Sequence, residues 1–486
     1  MCIPPSPDPT RITREITEAH LAAIWNEQSP LRGPMWDCTG QPVAVVYRGR
    51  WTAGSGPDFS GAMLTIGENG SKLLCGDVEI HLRCADWYAH GHDSDPRYNG
   101  VALHVVLWPL GVKPVTRADG VAIPTLVLAD YITLPTPDLL ARVNPLVPNL
   151  GTLSEEPCWQ RTGHWPIEYL LAHVEAAGDA RLEEKAARME AGLDVNYPPD
   201  EVFYRGLLDA LGYASNRVPM RDIAAALPLN ALLSIPLTAD GKERALFFEA
   251  VLLGAGGLLP SQRPDLTARD WATTEYIEEV ERFWLASAPT LSLPHKGAVE
   301  GWQWDRTRPA NSPLRRLAAA ARLIARYAWP PNGLGLLAPF LERADTLSPA
   351  ELAKEWTAML SVPGDGYWAA HSDFGRPLAG MDKDEIALVG SSRASDMVVN
   401  ILIPLLLAYA DTHGKPHIRD SACTVYALYP KLSENKITRA MLDEVFGPRK
   451  HSAIKTARHQ QGLIHLYRLY CEARRCYECP VSGARG

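Results

Sequence analysis

The sequence predicts an α/β domain at the N-terminus followed by a mainly α-helical region, and two observations lead to this prediction. Between residues 43 and 108, four apolar segments rich in β-branched residues are separated by Gly, Asn and Pro, a pattern typical of strands. Beyond residue 167, apolar residues recur at helical spacing over longer segments. Strands at one end and helices at the other indicate two structural regions.

The first predicted element is a helix from Thr13 to Gln28, with Ile16, Leu21, Ile24 and Trp25 as core positions. Four strands follow, with an irregular or helical segment before the last, which is an α/β order. The predicted strands are Val43–Tyr47, Ala62–Ile66, Leu73–His81 and Val101–Trp108.

Chain length and proline content predict three domains. At 486 residues the chain exceeds what one core usually spans, and repeated prolines from Pro135 to Pro148 predict a linker. We expect domains at residues 1–134 (α/β), 135–300 (linker and helical) and 301–486 (helical, with a Cys-rich tail). The predicted helices are Ile167–Leu193, Pro199–Leu211, Lys242–Leu259, Ala268–Ala288, Pro313–Ala328, Pro349–Leu360, Asp396–Ala410 and Ser452–Ala473.

Composition describes an ordinary globular protein, with 46% hydrophobic and 21% charged residues. The net charge of −8 gives no overall attraction to nucleic acid. Residues 431–486, however, hold 11 Lys and Arg against 5 Asp and Glu, so a polyanion is expected to meet this tail first. Arg315, Arg316 and Arg322 share one predicted helix, and we expect them on a solvated face.

The N-terminal segment and the longest apolar run argue against export and against a membrane span. The segment Met1–Pro7 lacks a basic region followed by an apolar core. The apolar run Met397–Ala410 is too short to cross a bilayer and contains Asn400 and Pro404. We expect a cytoplasmic protein without membrane partners, in which this run is a buried helix.

The most informative motif joins Gly-Pro-Asp-Phe at residues 56–59 to Gly-Asp-Val-Glu-Ile-His at residues 76–81. Strand residues two apart share a face, so Glu79 and His81 project together. Asp58, at the start of the neighbouring strand, would complete a set of ligands suited to Mg²⁺ or Mn²⁺, with Asp77 as an additional ligand. The alternative is that Gly-Pro-Asp is only a turn and Glu79 a surface charge.

Polar residues follow this motif at high density. They are the predicted substrate-binding residues Asp86, His90, His92, Asp95, Tyr98 and His104. Clustered His and Asp indicate either a second metal site or groups that hold and protonate a substrate. His104 lies inside an apolar strand, so it is expected to be a hydrogen-bonded core residue unless it shares a face with His81.

The C-terminal cysteines predict a second metal site. Cys471, Cys476 and Cys479 have the spacing x4, x2 at the end of a helix, which fits zinc or an iron–sulfur centre. Cys158 is the first candidate for the fourth ligand, and Cys423 and His465 are alternatives. A reduced tail without metal is the other interpretation, because the sequence does not fix the fourth ligand.

The chain resembles a bacterial family catalogued as domain of unknown function 2851, and the resemblance spans most of its length. The family name implies kinship without an activity. The matching features are Glu18-x2-Leu21-x2-Ile24-Trp25, Gly56-Pro-Asp-Phe59, Gly76-Asp-Val-Glu-Ile-His81, Asp86-Trp87 with His90, His92, Asp95 and Tyr98, Leu103-His-Val-Val106, Arg308-Pro-x-Asn-x-Pro313, Asn400-Ile with Pro404, Gln461-Gly462 and the terminal cysteines.

Asp58, Glu79 and His81 also resemble the site of the PD-(D/E)xK nuclease superfamily, over about the first 130 residues. That resemblance implies a restriction-endonuclease-like sheet, flanked by helices, with Glu18 supporting a metal-dependent site. Such sites usually have Lys at the position of His81. Some members also hold an iron–sulfur cluster by one early and three late cysteines, which is similar to Cys158 with the terminal three.

Three functions follow as hypotheses. The first is a Mg²⁺- or Mn²⁺-dependent nuclease that cleaves phosphodiester bonds, in DNA rather than RNA, through Asp58, Glu79 and His81. The second is a non-catalytic nucleic-acid-binding or scaffold protein with a degenerate nuclease fold. The third is a His-rich metallo-hydrolase that acts on a small molecule.

Overall fold

The protein is described by a computed structural model that divides into two compact units. A sheet unit comprises Met1–Gly163, Asp443–Gly447 and Tyr467–Gly486, and a helical unit comprises His164–Leu442 and Pro448–Leu466. The described residues are 16–28, 30–52, 56–67, 72–142, 157–194, 197–213, 215–235, 241–263, 271–294, 297, 299, 301–304, 311–328, 335–378, 387–449, 453–472 and 475–482.

The sheet unit contains a mixed sheet and short helices. Its elements in chain order are α1 (Glu18–Glu27), β1 (Met35–Trp36), β2 (Pro42–Tyr47), β3 (Arg50–Trp51), β4 (Phe59–Ile66), β5 (Lys72–His81), α2 (Asp86–Ala89), β6 (Val101–Val106), β7 (Val115–Thr116), β8 (Ala122–Ile123), β9 (Thr125–Val127), α3 (Thr136–Arg142) and α4 (Cys158–Thr162). The predicted α/β region is therefore confirmed at the level of a mixed sheet with helices near the N-terminus.

The strand order of this sheet is β1-β2-β4-β5-β6-β9, and β3 pairs with β4. The strands β2, β4 and β5 are antiparallel neighbours, whereas β5, β6 and β9 are parallel. Phe59 pairs with Val78 across β4 and β5, so Asp58 lies opposite Glu79. Glu79 also pairs with His104 on β6. The Asp58 and Glu79 motif and His104, one of the histidines that follow it in the sequence, therefore lie next to each other in the sheet.

Both faces of the sheet carry an apolar cluster. On one face α1 contributes Leu21, Ile24 and Trp25, each fully buried, to a core shared with residues of β4, β5 and β6. On the other face Trp87 and Tyr98 pack with Val101 and other apolar residues. Strand residues alternate between faces, so β5 can bury apolar side chains on one side while Glu79 and His81 face the other.

The helical unit confirms the prediction of a mainly helical remainder. Its helices are α5 (Ile167–Asp194), α6 (Pro199–Leu211), α7 (Arg217–Ala226), α8 (Leu229–Leu233), α9 (Gly241–Ala255), α10 (Trp271–Ser287), α11 (Pro313–Tyr327), α12 (Ala338–Thr346), α13 (Pro349–Leu360), α14 (Ser391–Met397), α15 (Ile403–His413), α16 (Pro416–Leu428), α17 (Lys436–Phe446), whose residues from Asp443 onward belong to the sheet unit, and α18 (Ala457–Leu466). A two-stranded ribbon, β10 (His371–Asp373) and β11 (Arg376–Pro377), completes the described elements.

Two predicted segments differ from what is observed. The proposed linker from Pro135 begins with the helix α3, because Pro137 near its start fits the helical φ and needs no hydrogen-bond partner; residues 143–148 lie outside the described residues. The predicted helix over 396–410 is longer and contains a π-helical turn, Val398–Leu402. Pro404, which has no N–H to donate, follows this turn directly.

Two helices are long and apolar enough to cross a membrane by length and composition alone. They are Lys242–Gln262 and Ser391–His413, and 67% and 72% of their apolar windows are buried inside the protein. Core helices of globular proteins meet the same criterion, so this observation is weak support for a membrane span.

Candidate active site

Asp58 and Glu79 meet through reciprocal hydrogen bonds between β4 and β5. The backbone N–H of Asp58 donates to Glu79 Oε2 at 3.0 Å, and the backbone N–H of Ile80 donates to Asp58 Oδ2 at 3.0 Å. Each carboxylate is thus fixed by the backbone of the strand that carries the other. The interpretation of Glu79 as a surface charge is wrong, because only 5% of the residue is exposed.

These two carboxyl groups, Glu79 buried and Asp58 half-buried, lie close together with little compensating charge. Burial first, and then the negative charge of Glu79, raises the pKa of Asp58 to about 8. Burial also raises the pKa of Glu79 to about 8, and the charge of Glu18 on α1 adds to the effect at both groups. Among the described residues, Glu79 Oε1 lies 3.7 Å from His81 Nε2 and 3.2 Å from His92 Nε2, and Glu79 has no ion pair with Lys or Arg.

His81 belongs to a chain of hydrogen bonds that begins at a threonine. Thr125 Oγ1 donates to the Lys113 carbonyl at 2.9 Å and lies 3.4 Å from His104 Nδ1. His104 Nε2 is 2.9 Å from His81 Nδ1, and His81 Nε2 is 3.0 Å from His90 Nδ1. His104 therefore shares a face with His81, the condition under which it is more than an ordinary core residue.

This chain of hydrogen bonds determines the tautomer of His81. The Thr125 hydroxyl donates its proton to the Lys113 carbonyl, so toward His104 it can only accept. His104 Nδ1 therefore carries a proton and donates to Thr125, and His104 Nε2 is the acceptor nitrogen. His81 Nδ1 must then donate, which leaves a lone pair on His81 Nε2. Burial, followed by the charges of His104, His92 and His90, lowers the pKa of His81 to about 2, so the ring stays neutral.

The lone pair of His81 points toward two further imidazoles. Ligand atoms of His81, His90 and His92 all lie within 4.8 Å of one another, a spacing that could hold a metal ion. His92 Nε2 is 3.2 Å from Glu79 Oε1 but makes no hydrogen bond of acceptable geometry, so it is a buried nitrogen without a partner. Tyr98 stacks on His92 with ring centroids 3.7 Å apart and holds its orientation.

The remaining predicted site residues have local partners. Asp77 accepts a hydrogen bond from the Gly61 backbone, and Asp86 accepts one from the Arg83 backbone at the start of α2. Asp95 forms a two-point ion pair with Arg97. The roles predicted for these three acids therefore stay predictions, since their described contacts do not include Asp58 or Glu79.

Two residues beside the cluster were missed by the sequence reasoning. Arg97 acts electrostatically on His92 and Tyr98, which makes it a cation at the edge of the cluster. A signal existed, because Arg97 stands between Asp95 and Tyr98, which were both selected. Thr125 gave no such signal, since its contact with His104 arises from the parallel pairing of β6 and β9.

All four cysteines of the predicted metal site belong to the sheet unit. Electrostatic interaction connects Cys471 to Cys158, Cys476 and Cys479. The alternative ligands Cys423 and His465 belong to the helical unit, where Cys423 interacts with Arg419 and Glu183 and His465 lies 3.8 Å from Glu184.

Comparison with known proteins places the chain in one family. A sequence profile described as "Protein of unknown function (DUF2851)" matches residues 18–435, which is most of the chain, so the protein belongs to this family. The match includes α1, the sheet and the histidine cluster, whereas the three terminal cysteines lie beyond it. No curated protein and no solved structure matches the chain.

Proposed function

We propose that this protein is a divalent-metal-dependent hydrolase that cleaves phosphodiester bonds of nucleic acid at Asp58, Glu79 and His81. One observation supports the proposal above all others. A buried Glu79 carboxyl group, a half-buried Asp58 carboxyl group and the lone pair of a neutral imidazole converge from adjacent strands, without a Lys or Arg ion pair to the carboxylates among the described residues. A divalent cation would supply the missing positive charge and would bind both carboxylates and the imidazole nitrogen.

The donor set also indicates which cations fit. Carboxylates favour Mg²⁺ and Mn²⁺, whereas imidazole nitrogens favour transition metals. His81, with His92 and His90 beside it, therefore shifts the preference from Mg²⁺ toward Mn²⁺ or zinc. The tautomer of His81 also fits a metal ligand. A metal-binding histidine usually donates its other ring N–H to a fixed acceptor, and here that acceptor is His104 Nε2.

The chain's own residues would divide the work of hydrolysis as follows. Asp58 and Glu79 hold the cation, and Glu18 adds negative charge from α1. The bound cation would polarise a phosphate oxygen and lower the pKa of the attacking water. His81 Nε2, fixed by His104, binds the cation or accepts a hydrogen bond from that water, and orients it.

A neutral His81 cannot replace the ammonium group that the PD-(D/E)xK resemblance leads one to expect there. Arg97 is a candidate for that role, since it acts electrostatically on His92 and Tyr98 and its side chain is 54% exposed. Its guanidinium, which Asp95 holds in place, would contact the phosphate from the edge of the cluster.

A second candidate is a metallo-hydrolase that acts on a small molecule through His81, His90, His92 and His104. The specific observation in its favour is the spacing of the three ligand atoms within 4.8 Å. In this case the imidazoles bind zinc as the main ligands, and Glu79 acts beside them as the general base.

One assay separates these functions. Metal-free full-length protein is incubated with Mn²⁺, Mg²⁺ or Zn²⁺ and labelled single-stranded DNA, double-stranded DNA or RNA, and in parallel with small phosphodiesters and carboxylic esters. We expect metal-dependent cleavage of nucleic acid, lost in Asp58→Asn. The matched control is Asp119→Asn, because Asp119 pairs with Arg117 in the same unit, and it should keep full activity.

The other outcomes decide against the first proposal. Hydrolysis of small esters alone, abolished by His92→Ala, would support the second candidate. Binding of nucleic acid without cleavage in any metal would indicate a non-catalytic nucleic-acid-binding protein. Cleavage that persists in Asp58→Asn would remove this site from the reaction.

A further inference from the structure

Four cysteines from distant parts of the sequence come together in the sheet unit. In the sequence they are far from Asp58 and Glu79. Cys158 is the first residue of α4, and Cys471 ends a π-helical segment, Tyr467–Cys471. Cys476 and Cys479 lie on the turn that follows, where the N–H of Cys479 donates to the Cys476 carbonyl at 3.2 Å. None of the four forms a disulfide in the described structure.

Side-chain contacts join α4 to the terminal turn. Arg161, one turn after Cys158, donates from Nε to the Ser482 carbonyl at 2.8 Å, and its Nη2 lies 3.8 Å from Cys158 Sγ. Ser482 Oγ donates to the Cys479 carbonyl at 3.0 Å and also contacts the Cys476 carbonyl. Arg161 and Ser482 therefore fix the early cysteine and two late ones relative to one another.

The four cysteines lie near one another, and two of them are buried. Cys158 and Cys479 are 4% and 3% exposed. Cys471 and Cys476 are partly exposed, and Cys471 interacts electrostatically with the other three cysteines. Cys479 also acts on Cys158. Four cysteine thiols, three of them in electrostatic contact with Cys471, are the donor set of a metal centre, in contrast to a lone structural cysteine.

We propose that Cys158, Cys471, Cys476 and Cys479 bind one thiophilic metal centre, either a zinc ion or an iron–sulfur cluster. Each thiol releases its proton to solvent when the metal binds, because the thiolate is the ligand. Both occupants use four thiolates, so the ligand set defines the site and the metal content decides the occupant.

The position of the centre assigns it a structural role. The carbonyl of Glu472, the residue after Cys471, accepts a hydrogen bond from Arg48 Nη1 at 2.8 Å. Arg48 also donates from Nε to Asn26 Oδ1 on α1 at 2.9 Å. The C-terminal segment is thus connected to the helix that carries Glu18, and the metal would hold this segment in place.

The test measures metal in the full-length protein after anaerobic purification and gel filtration. We expect either stoichiometric zinc, or iron with an equal amount of acid-labile sulfide and a visible absorption band. Cys476→Ser, at a partly exposed position, should lose this metal, and so should Cys158→Ser. The matched control is Cys75→Ser, an exposed cysteine on β5, which should retain the full metal content.

Two results would overturn the proposal. One is wild-type protein that holds neither zinc nor iron in stoichiometric amount. The other is Cys476→Ser and Cys158→Ser proteins that both fold, as judged by circular dichroism, and keep the wild-type metal. Glu79→Gln should retain the cysteine-bound metal, so this test succeeds or fails independently of the proposed hydrolase site.

Discussion

The two units bury charged groups in different ways. In the helical unit, Glu249 is 1% exposed and pairs with Arg322 at 2.6 Å, and Trp368 donates a hydrogen bond to its other oxygen. In the sheet unit, the buried Glu79 lies beside the half-buried Asp58, and neither has an ion pair with Lys or Arg among the described residues. A buried carboxylate that has a partner of opposite charge, such as Glu249, is typical of a structural role. Two neighbouring carboxyl groups without such a partner, with displaced pKa values, indicate a functional site.

The largest predicted difference is between Glu79→Gln and Glu249→Gln. Glu79→Gln should reduce metal-dependent hydrolysis at least about 100-fold. Above about pH 8, where Glu79 is ionised, the metal-free variant should be as stable as wild type or more so, because a neutral amide removes an unfavourable buried charge. Glu249→Gln should lower the free energy of unfolding by roughly 3 kcal/mol, because the half-buried Arg322 loses its buried partner and keeps Asp365, which is exposed. Urea denaturation and the hydrolysis assay measure both effects.

This contrast fails if both variants destabilise the protein to the same extent. It also fails if Glu249→Gln, when folded, loses hydrolysis as completely as Glu79→Gln does.

The second prediction concerns pH and the metal-free protein. Asp58 and Glu79 have pKa values raised to about 8 in the folded state, from 3.8 and 4.5 as ordinary values. The folded state therefore binds more protons than the unfolded state between these limits, and stability should fall by a few kcal/mol as pH rises from about 4 to about 8. Added Mn²⁺ should restore stability most at the alkaline end.

Urea denaturation in the presence of EDTA, repeated with Mn²⁺, tests this dependence. An Asp58→Asn, Glu79→Gln double variant serves as the control and should show a flatter profile. If wild type and double variant have the same profile, the buried carboxyl pair is not the source of the pH dependence.

The third prediction concerns His104, which fixes the tautomer of His81. His104→Leu removes the acceptor of the His81 Nδ1–H and should weaken Mn²⁺ binding roughly 10- to 100-fold. His104→Gln retains an acceptor oxygen and should recover much of that affinity. Isothermal titration measures both variants; equal affinity in His104→Leu and wild type would show that His104 only fills space.

The smallest effect is expected at His90. It is exposed and contributes Nδ1 at the outer edge of the cluster, so other ligands or water can replace it. His90→Ala should weaken Mn²⁺ binding about 10-fold or less. A loss as large as that in Glu79→Gln would instead make the imidazoles the main ligands, as the small-molecule hydrolase requires.

Local pattern was sufficient to predict much of the fold. The helices α6 and α13 begin and end where apolar periodicity and the prolines at their first positions indicate. The meeting of Asp58 with Glu79 was also predictable, because short antiparallel strands leave few registers. The contact of His81 with His104 was not, since the register of the parallel pair β5 and β6 depends on the crossover between them.

Buried arginines show another limit of the sequence. Arg315 and Arg316 on α11 were expected in solvent, yet they are 0% and 4% exposed. Their guanidinium groups donate to the carbonyls of Trp368 and Leu388, which lie far along the chain. The predicted basic tail is likewise partly neutralised, because Arg475 pairs with Glu478. Helical periodicity cannot reveal partners of this kind.

The most direct measurement is anomalous X-ray diffraction from crystals of the protein soaked in Mn²⁺. The account predicts an anomalous peak bound by Asp58, Glu79 and His81 Nε2, with the His81 to His104 hydrogen bond retained. The account would be contradicted by a fully occupied Mn²⁺ elsewhere while Asp58 and Glu79 remain without a cation.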